Sequence, residues 1–82
     1  MKEKLIEQKI KLWFKKKGKK IKLSDNVLRE NIIDSFDLID LMIYLEKEFK
    51  IKFHPTDYEN PNFTVIKNLI KIIKKYHDKL QS

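Results

Sequence analysis

The sequence predicts an all-α fold: a small bundle of three main helices plus one short helix, with a long loop between the first two main helices. Three observations carry that expectation. Apolar residues recur at helical spacing in three stretches, strand alternation of useful length is missing, and one glycine and two prolines punctuate the chain between them. Eighty-two residues make one domain, 1–82, whose 41% apolar content can fill a modest core. The 38% charged content can cover it.

Helix one is expected over about residues 2–17, where Ile6, Ile10, Trp13 and Phe14 fall on one face with lysines between them. Gly18 follows at once, suited to the left-handed position that closes a helix, and the neighbouring lysines suit the negative end of the helix dipole. Residues 18–34 read as a long loop packed on the core, because Ile21, Leu23, Val27, Leu28, Ile32 and Ile33 are apolar but irregularly spaced. Within it, Ser24-Asp25-Asn26 can start a short turn, and Asn31 tolerates a left-handed backbone. Helix two is expected over about 35–49, with Leu38, Leu41, Met42, Leu45 and Phe49 forming a buried stripe. Pro55 ends any continuation past Ile51 and Phe53, and a short helix fits about 55–60. The last helix runs over about 64–77, with Thr64 as its N-cap and Val65, Ile66, Leu69, Ile70, Ile73 and Tyr76 facing the core.

Several function classes find no support. The chain has no cysteine, so disulfides and thiolate metal sites are excluded, which suits a reducing compartment. His54 and His77 stand at no spacing that suggests a metal site or a triad, so neither metal ligands nor catalytic residues are expected. Near Met1 charged residues flank the lone apolar pair Leu5-Ile6, which leaves no signal-peptide core, and the apolar run Leu41 to Leu45 is far too short to span a bilayer. A cytoplasmic protein without a membrane span is the expectation.

The formal net charge of +7 invites a nucleic-acid reading, against which stands the plainer one that lysines are solvated faces. Distribution matters more than the sum. Residues 1–22 carry ten lysines against Glu3 and Glu7, whereas Asp34, Asp37, Asp40, Glu46 and Glu48 face only Lys47 within residues 34–49. The lysines of helix one and of the last helix are expected to lie far enough from this acidic segment to leave its field unscreened.

Helix two holds more apolar residues than one buried face requires. Phe36, Ile39 and Ile43 are rotated away from the core stripe, bordered by Asp40 and Lys47 on one side and Glu46 on the other. Either the helix is buried on both sides, or this second strip meets a partner. Ser35, at the helix start, is ordinarily a cap. It also offers what a covalent attachment point needs: a hydroxyl at a helix N-terminus, where phosphate is electrostatically welcome. No base lies beside it in sequence, so it would be a passive acceptor.

The run Ile32-Ile33-Asp34-Ser35-Phe36-Asp37-Leu38-Ile39-Asp40-Leu41 resembles the attachment motif of the acyl carrier protein, or phosphopantetheine-binding carrier protein, family. In that family Asp-Ser-Leu or Asp-Ser-Phe opens the second helix. The segment Leu45-Glu46-Lys47-Glu48-Phe49-Lys50-Ile51-Lys52-Phe53 is similar to the family's exit from that helix, and Phe63-Thr64-Val65-Ile66-Lys67-Asn68-Leu69-Ile70 to its entry into the last one. The resemblance covers about residues 23 to 74. The chain differs from fatty-acid-type members in its basic charge, in Lys47 where an acidic residue often stands, and in Asn31 where many relatives carry glycine.

The resemblance implies a carrier and not an enzyme. Ser35 would bear 4′-phosphopantetheine, installed by a phosphopantetheinyl transferase from coenzyme A with Mg²⁺, and the arm would hold an acyl group as a thioester. Asp34, Phe36, Asp37, Ile39, Asp40, Ile43 and Glu46 would form the docking surface for acyl- or aminoacyl-loading and transferring enzymes, with carboxylates steering basic patches. Fatty acid or secondary metabolite biosynthesis is the implied setting, and a monomer the implied state, with no nucleic-acid partner. Two alternatives stand beside it: an aminoacyl or peptidyl carrier of a nonribosomal or cell-envelope pathway, and a basic helical module for nucleic acid or anionic surfaces.

Overall fold

In the computed structural model, which describes residues 2–80, the elements are α1 (Glu3–Lys16), α2 (Ser35–Phe49), a 3-10 helix (Pro55–Glu59) and α3 (Ile66–Leu80). The all-α expectation holds: the described residues form a small helical bundle without strands, and an isolated antiparallel bridge joins Asn26 to Val65. No helix among the described residues is long and apolar enough to cross a membrane.

α1 buries Ile6, Ile10 and Phe14 completely and packs alongside α3. Trp13 lies at the edge of the core, edge-on to Phe14 with ring centroids 5.0 Å apart. The helix stops at Gly18, whose φ of +75° is open to glycine without steric cost. There Gly18 N–H donates to Lys15 O (2.9 Å) and Lys19 N–H to Phe14 O (3.0 Å), which satisfies carbonyls that the helix end would otherwise orphan.

The loop before α2 has no regular structure, yet several of its polar groups are paired. Asn26 organises it. The buried side chain donates from Nδ2 to Pro61 O (3.0 Å) and accepts at Oδ1 from Arg29 N–H (3.2 Å) and the Thr64 hydroxyl (2.6 Å). Its own N–H donates to Glu30 Oε2 (2.8 Å), so residues 26–30 close as a single turn. Asn31 takes the left-handed conformation at φ 57°, as its position suggested.

This loop also caps α3, and here one local expectation needs correcting. Ile66 N–H donates to Asp25 O (3.0 Å) and Lys67 N–H to Leu23 O (2.9 Å). Backbone carbonyls thus do the work expected of Thr64, which lies outside the helix with its hydroxyl turned to Asn26. At the other end α3 continues to Leu80, past the expected stop near residue 77.

Among the described residues, sixteen buried apolar side chains from the three α-helices and the chain between them, but not from the 3-10 helix, form the core, with Leu41, Met42, Leu45 and Phe49 as the contribution of α2. Phe53 and Tyr58 meet Phe63 edge-to-face at 5.4 Å and 5.2 Å, anchoring the connection after α2. Tyr76 of α3 donates to Asp57 Oδ2 (2.7 Å) in the 3-10 helix. Burial, reinforced by that bond, pushes its phenol up to about 12.

Candidate attachment and docking site on α2

The N-terminus of α2 is built by Asp34, not by Ser35. Asp34 has the extended backbone of a cap, and its carboxylate accepts from Asp37 N–H (2.8 Å) while its carbonyl accepts from Leu38 N–H (3.0 Å). The capping role that Ser35 could have filled is therefore taken. Ser35 is the first helical residue, exposed, and its hydroxyl has no hydrogen-bond partner among the described residues. The N–H groups of Ser35 and Phe36 likewise donate to none of them. A hydroxyl beside two open donors at the positive end of a 15-residue helix is an arrangement that accommodates a phosphate.

Around its circumference α2 divides into three parts. Leu41 and Leu45 face the core at 0% exposure, and Leu38 packs half-buried at its edge. The outward strip holds Phe36 (81% exposed), Ile39 (56%) and Ile43 (45%), with exposed Asp40 and Lys47 beside it. Of the two readings of this strip, burial on both sides is thereby excluded. The third part carries Asp37, Tyr44 and Glu48 toward α1 and the residues that follow it.

This third part overturns the expectation that lysines of the first helix lie far from the acidic segment. Lys9 Nζ sits 2.7 Å from Glu48 Oε1, and Lys17 Nζ 3.4 Å from Asp37 Oδ1. The hydrogen bond and charge of Glu48 hold the Lys9 ammonium above the usual lysine range. Lys17 also lies 4.9 Å from the Trp13 ring centroid, which fixes its stem, and the Lys19 ammonium donates to Ile32 O just before α2. Glu46 is engaged differently, since its carboxylate accepts from Phe53 N–H (2.9 Å) and ties the helix exit to the chain beyond. Of the carboxylates named as docking residues, only Asp40 has neither an ion pair nor a hydrogen bond among the described residues.

A shallow cleft of about 390 Å³ opens on the Leu38 side of α2. Leu28, Leu38, Tyr58, Pro61 and Phe63 give it apolar walls, and Asn26, Arg29, Asn60 and Thr64 a polar lining. On the family resemblance, the Leu38, Leu41, Met42, Leu45 and Phe49 face of helix two is expected to line a cleft for cargo; Leu38 alone of these lines this one, and its other walls come from two segments outside α2. The signal for those outer walls was Asn26, a polar residue just before the apolar pair Val27-Leu28.

The structure is thus a small helical bundle with an unbonded serine opening α2 and an exposed apolar strip beside it. The chain is 36% identical over 73 residues to the acyl carrier protein of Buchnera aphidicola subsp. Baizongia pistaciae (strain Bp), covering 88% of this chain and 76% of that one. The protein belongs to the acyl carrier protein family. No family model matches the chain. No solved structure matches it either.

Proposed function

We propose that this protein carries an acyl group as a thioester on 4′-phosphopantetheine attached to Ser35, and presents it to partner enzymes in the cytoplasm as a monomer. The observation that carries the reading is the state of Ser35 in a member of this family: an exposed hydroxyl, released from capping by Asp34, beside the open N–H groups of Ser35 and Phe36. The arm, when attached, supplies a terminal thiol that forms the thioester and a tether that raises the cargo's effective concentration at a partner's site.

The chain's own contribution is positioning. Asp34 fixes the first turn of α2 and so the direction of the Ser35 Cα–Cβ bond, while the helix N-terminus favours the phosphodiester's negative charge. No base is hydrogen-bonded to the Ser35 hydroxyl among the described residues, so the transferase has to remove its proton. Phe36, Ile39 and Ile43 are the apolar contacts of the docking surface. Asp40 supplies its unengaged negative charge, while Asp34, Asp37 and Glu46 are already engaged within the fold.

Incubation with a phosphopantetheinyl transferase, coenzyme A and Mg²⁺ should add one phosphopantetheine group, seen by intact mass. Ser35→Ala should abolish the addition while leaving the circular dichroism unchanged. Modification of the alanine variant, or peptide mapping of the group to Ser24 or a threonine, would remove Ser35 from the proposal.

A further inference from the structure

We infer that the outer face of α1 docks this protein on an anionic lipid surface. α1 meets α2 along one flank, where Lys9 pairs with Glu48, and packs on α3 through the face that buries Ile6 and Ile10. The side left over has Leu5 and Leu12 along its midline, both exposed and two turns apart, so that they stand one above the other. Lys11 and Lys15 border them on one side, Lys9 and Lys16 on the other. Past the turn at Gly18 the basic surface continues: Lys19 and Lys20 join Lys11, Lys15 and Ile21 around a hollow of about 370 Å³, room for a phosphodiester headgroup.

Charge and apolar surface together select the partner. Glu7 is the only carboxylate between Lys4 and Lys20, and it is half-buried and paired with Lys11 (2.8 Å). A face so uniformly of one sign suits a surface uniformly of the other, as an anionic leaflet is, whereas protein surfaces mix both signs. The leucines argue against nucleic acid. Pressed on a phosphate backbone they would find no apolar partner, and α1 has no arginine to fork a phosphate. A second copy of the same face would be repelled. At a lipid interface both residue types are served: the leucines enter the acyl boundary while the lysine stems reach back to the headgroups. α3 supplies the contrast. Its exposed Lys67, Lys71 and Lys75 share their face with no exposed large apolar side chain before Leu80, as a merely solvated basic face would. The apolar strip of α2 stays free in this arrangement, because the Lys9–Glu48 and Lys17–Asp37 pairs lie between it and α1. Nothing in it requires a modified Ser35, so its failure and that of the carrier reading are separate events.

Vesicle flotation of the full chain tests this. Phosphatidylcholine and phosphatidylglycerol in equal parts should carry the protein up at low salt and release it at high salt, and phosphatidylcholine alone should not carry it. Replacing Lys15, Lys16 and Lys20 with glutamine should weaken binding about fivefold per lysine, while the same change at Lys67, Lys71 and Lys75 should have little effect. Leu5→Ser with Leu12→Ser should also release the protein, with circular dichroism unchanged, and Leu12→Trp should tighten binding. Should the serine pair disturb the fold, Leu12→Trp decides alone, and no tightening overturns the inference. Equal losses from the two lysine sets would make net charge the cause and overturn it as well. So would a folded serine pair that binds like the parent, or duplex DNA that displaces the parent and that pair alike from vesicles, the mark of a nucleic-acid face. No binding to the mixed vesicles at low salt would end it outright.

Discussion

The inward and outward sides of α2 are made of the same material and meet opposite fates. Leu38, Leu41 and Leu45 line one side, Phe36, Ile39 and Ile43 the other, and both triplets keep helical spacing. What separates them lies elsewhere in the chain: α1 and α3 present Ile6, Ile10, Leu69 and Ile73 to the shared core, and no described residue covers Phe36. The same division applies to charge. Asp37 and Glu48 are met by lysines from the first helix and its end, whereas Asp40, between the two apolar triplets, is not. Periodicity tells which residues share a face; the rest of the fold decides which face is left for a partner.

The largest expected effect tests that division directly. Leu45→Ala should cost about 2–5 kcal/mol of unfolding free energy, a large part of a small domain's stability. Ile43→Ala, two positions earlier and 45% exposed, should cost well under that. Urea denaturation of the two variants decides it. Equal losses would mean that the outward strip is covered in solution, and the reverse order that the helix is rotated.

A smaller effect sits where the inward side ends. Lys50 follows Phe49 with φ 55°, a left-handed backbone that costs a side-chain-bearing residue about 1–2 kcal/mol. Glycine removes that cost but adds unfolded-chain entropy, so Lys50→Gly should stabilise by about 0.5–1 kcal/mol net. A loss of stability would show that the Lys50 side chain contributes packing that its exposure does not suggest.

The helices were legible because their signals are local. The stripe of α2, the stop at Gly18 and the left-handed Asn31 each rest on a residue and its near neighbours. Lys50 was not legible, since nothing about a lysine announces positive φ; the Ile51 N–H to Glu46 O bond and the burial of Ile51 hold it there. Thr64 was misread as a cap because the groups that replace it, Leu23 O and Asp25 O, lie some forty residues earlier. Distance in sequence likewise hid the Asn26 hub, the cleft walls outside α2 and both lysine–carboxylate pairs. Ser35 stood out through the motif around it, while the finding that Asp34 and not Ser35 caps α2 needed coordinates.

The smallest stability effect carries the most information about docking. Lys17 and Lys9 each pair with a carboxylate of α2, and both pairs are partly exposed, so Lys17→Gln or Lys9→Gln should change stability by only a few tenths of a kcal/mol. Their effects on recognition should differ. Removing the Lys17 ammonium leaves the Asp37 charge uncompensated in the first turn of α2, two residues from Ser35. Glu48 lies eleven residues further along, roughly 16 Å by helical rise. Screening acts over about 10 Å at 0.1 M salt, so the charge uncovered by Lys9→Gln is felt weakly at Ser35. Against a transferase with a basic docking surface, Lys17→Gln should therefore raise the modification rate, with a steeper loss at high salt, and Lys9→Gln should leave it nearly unchanged. Adding Asp37→Asn to Lys17→Gln should cancel the gain. Equal acceleration by both lysine variants would show that net charge and not the field near Ser35 governs association. A slower Lys17→Gln would make Lys17 itself a contact for the transferase.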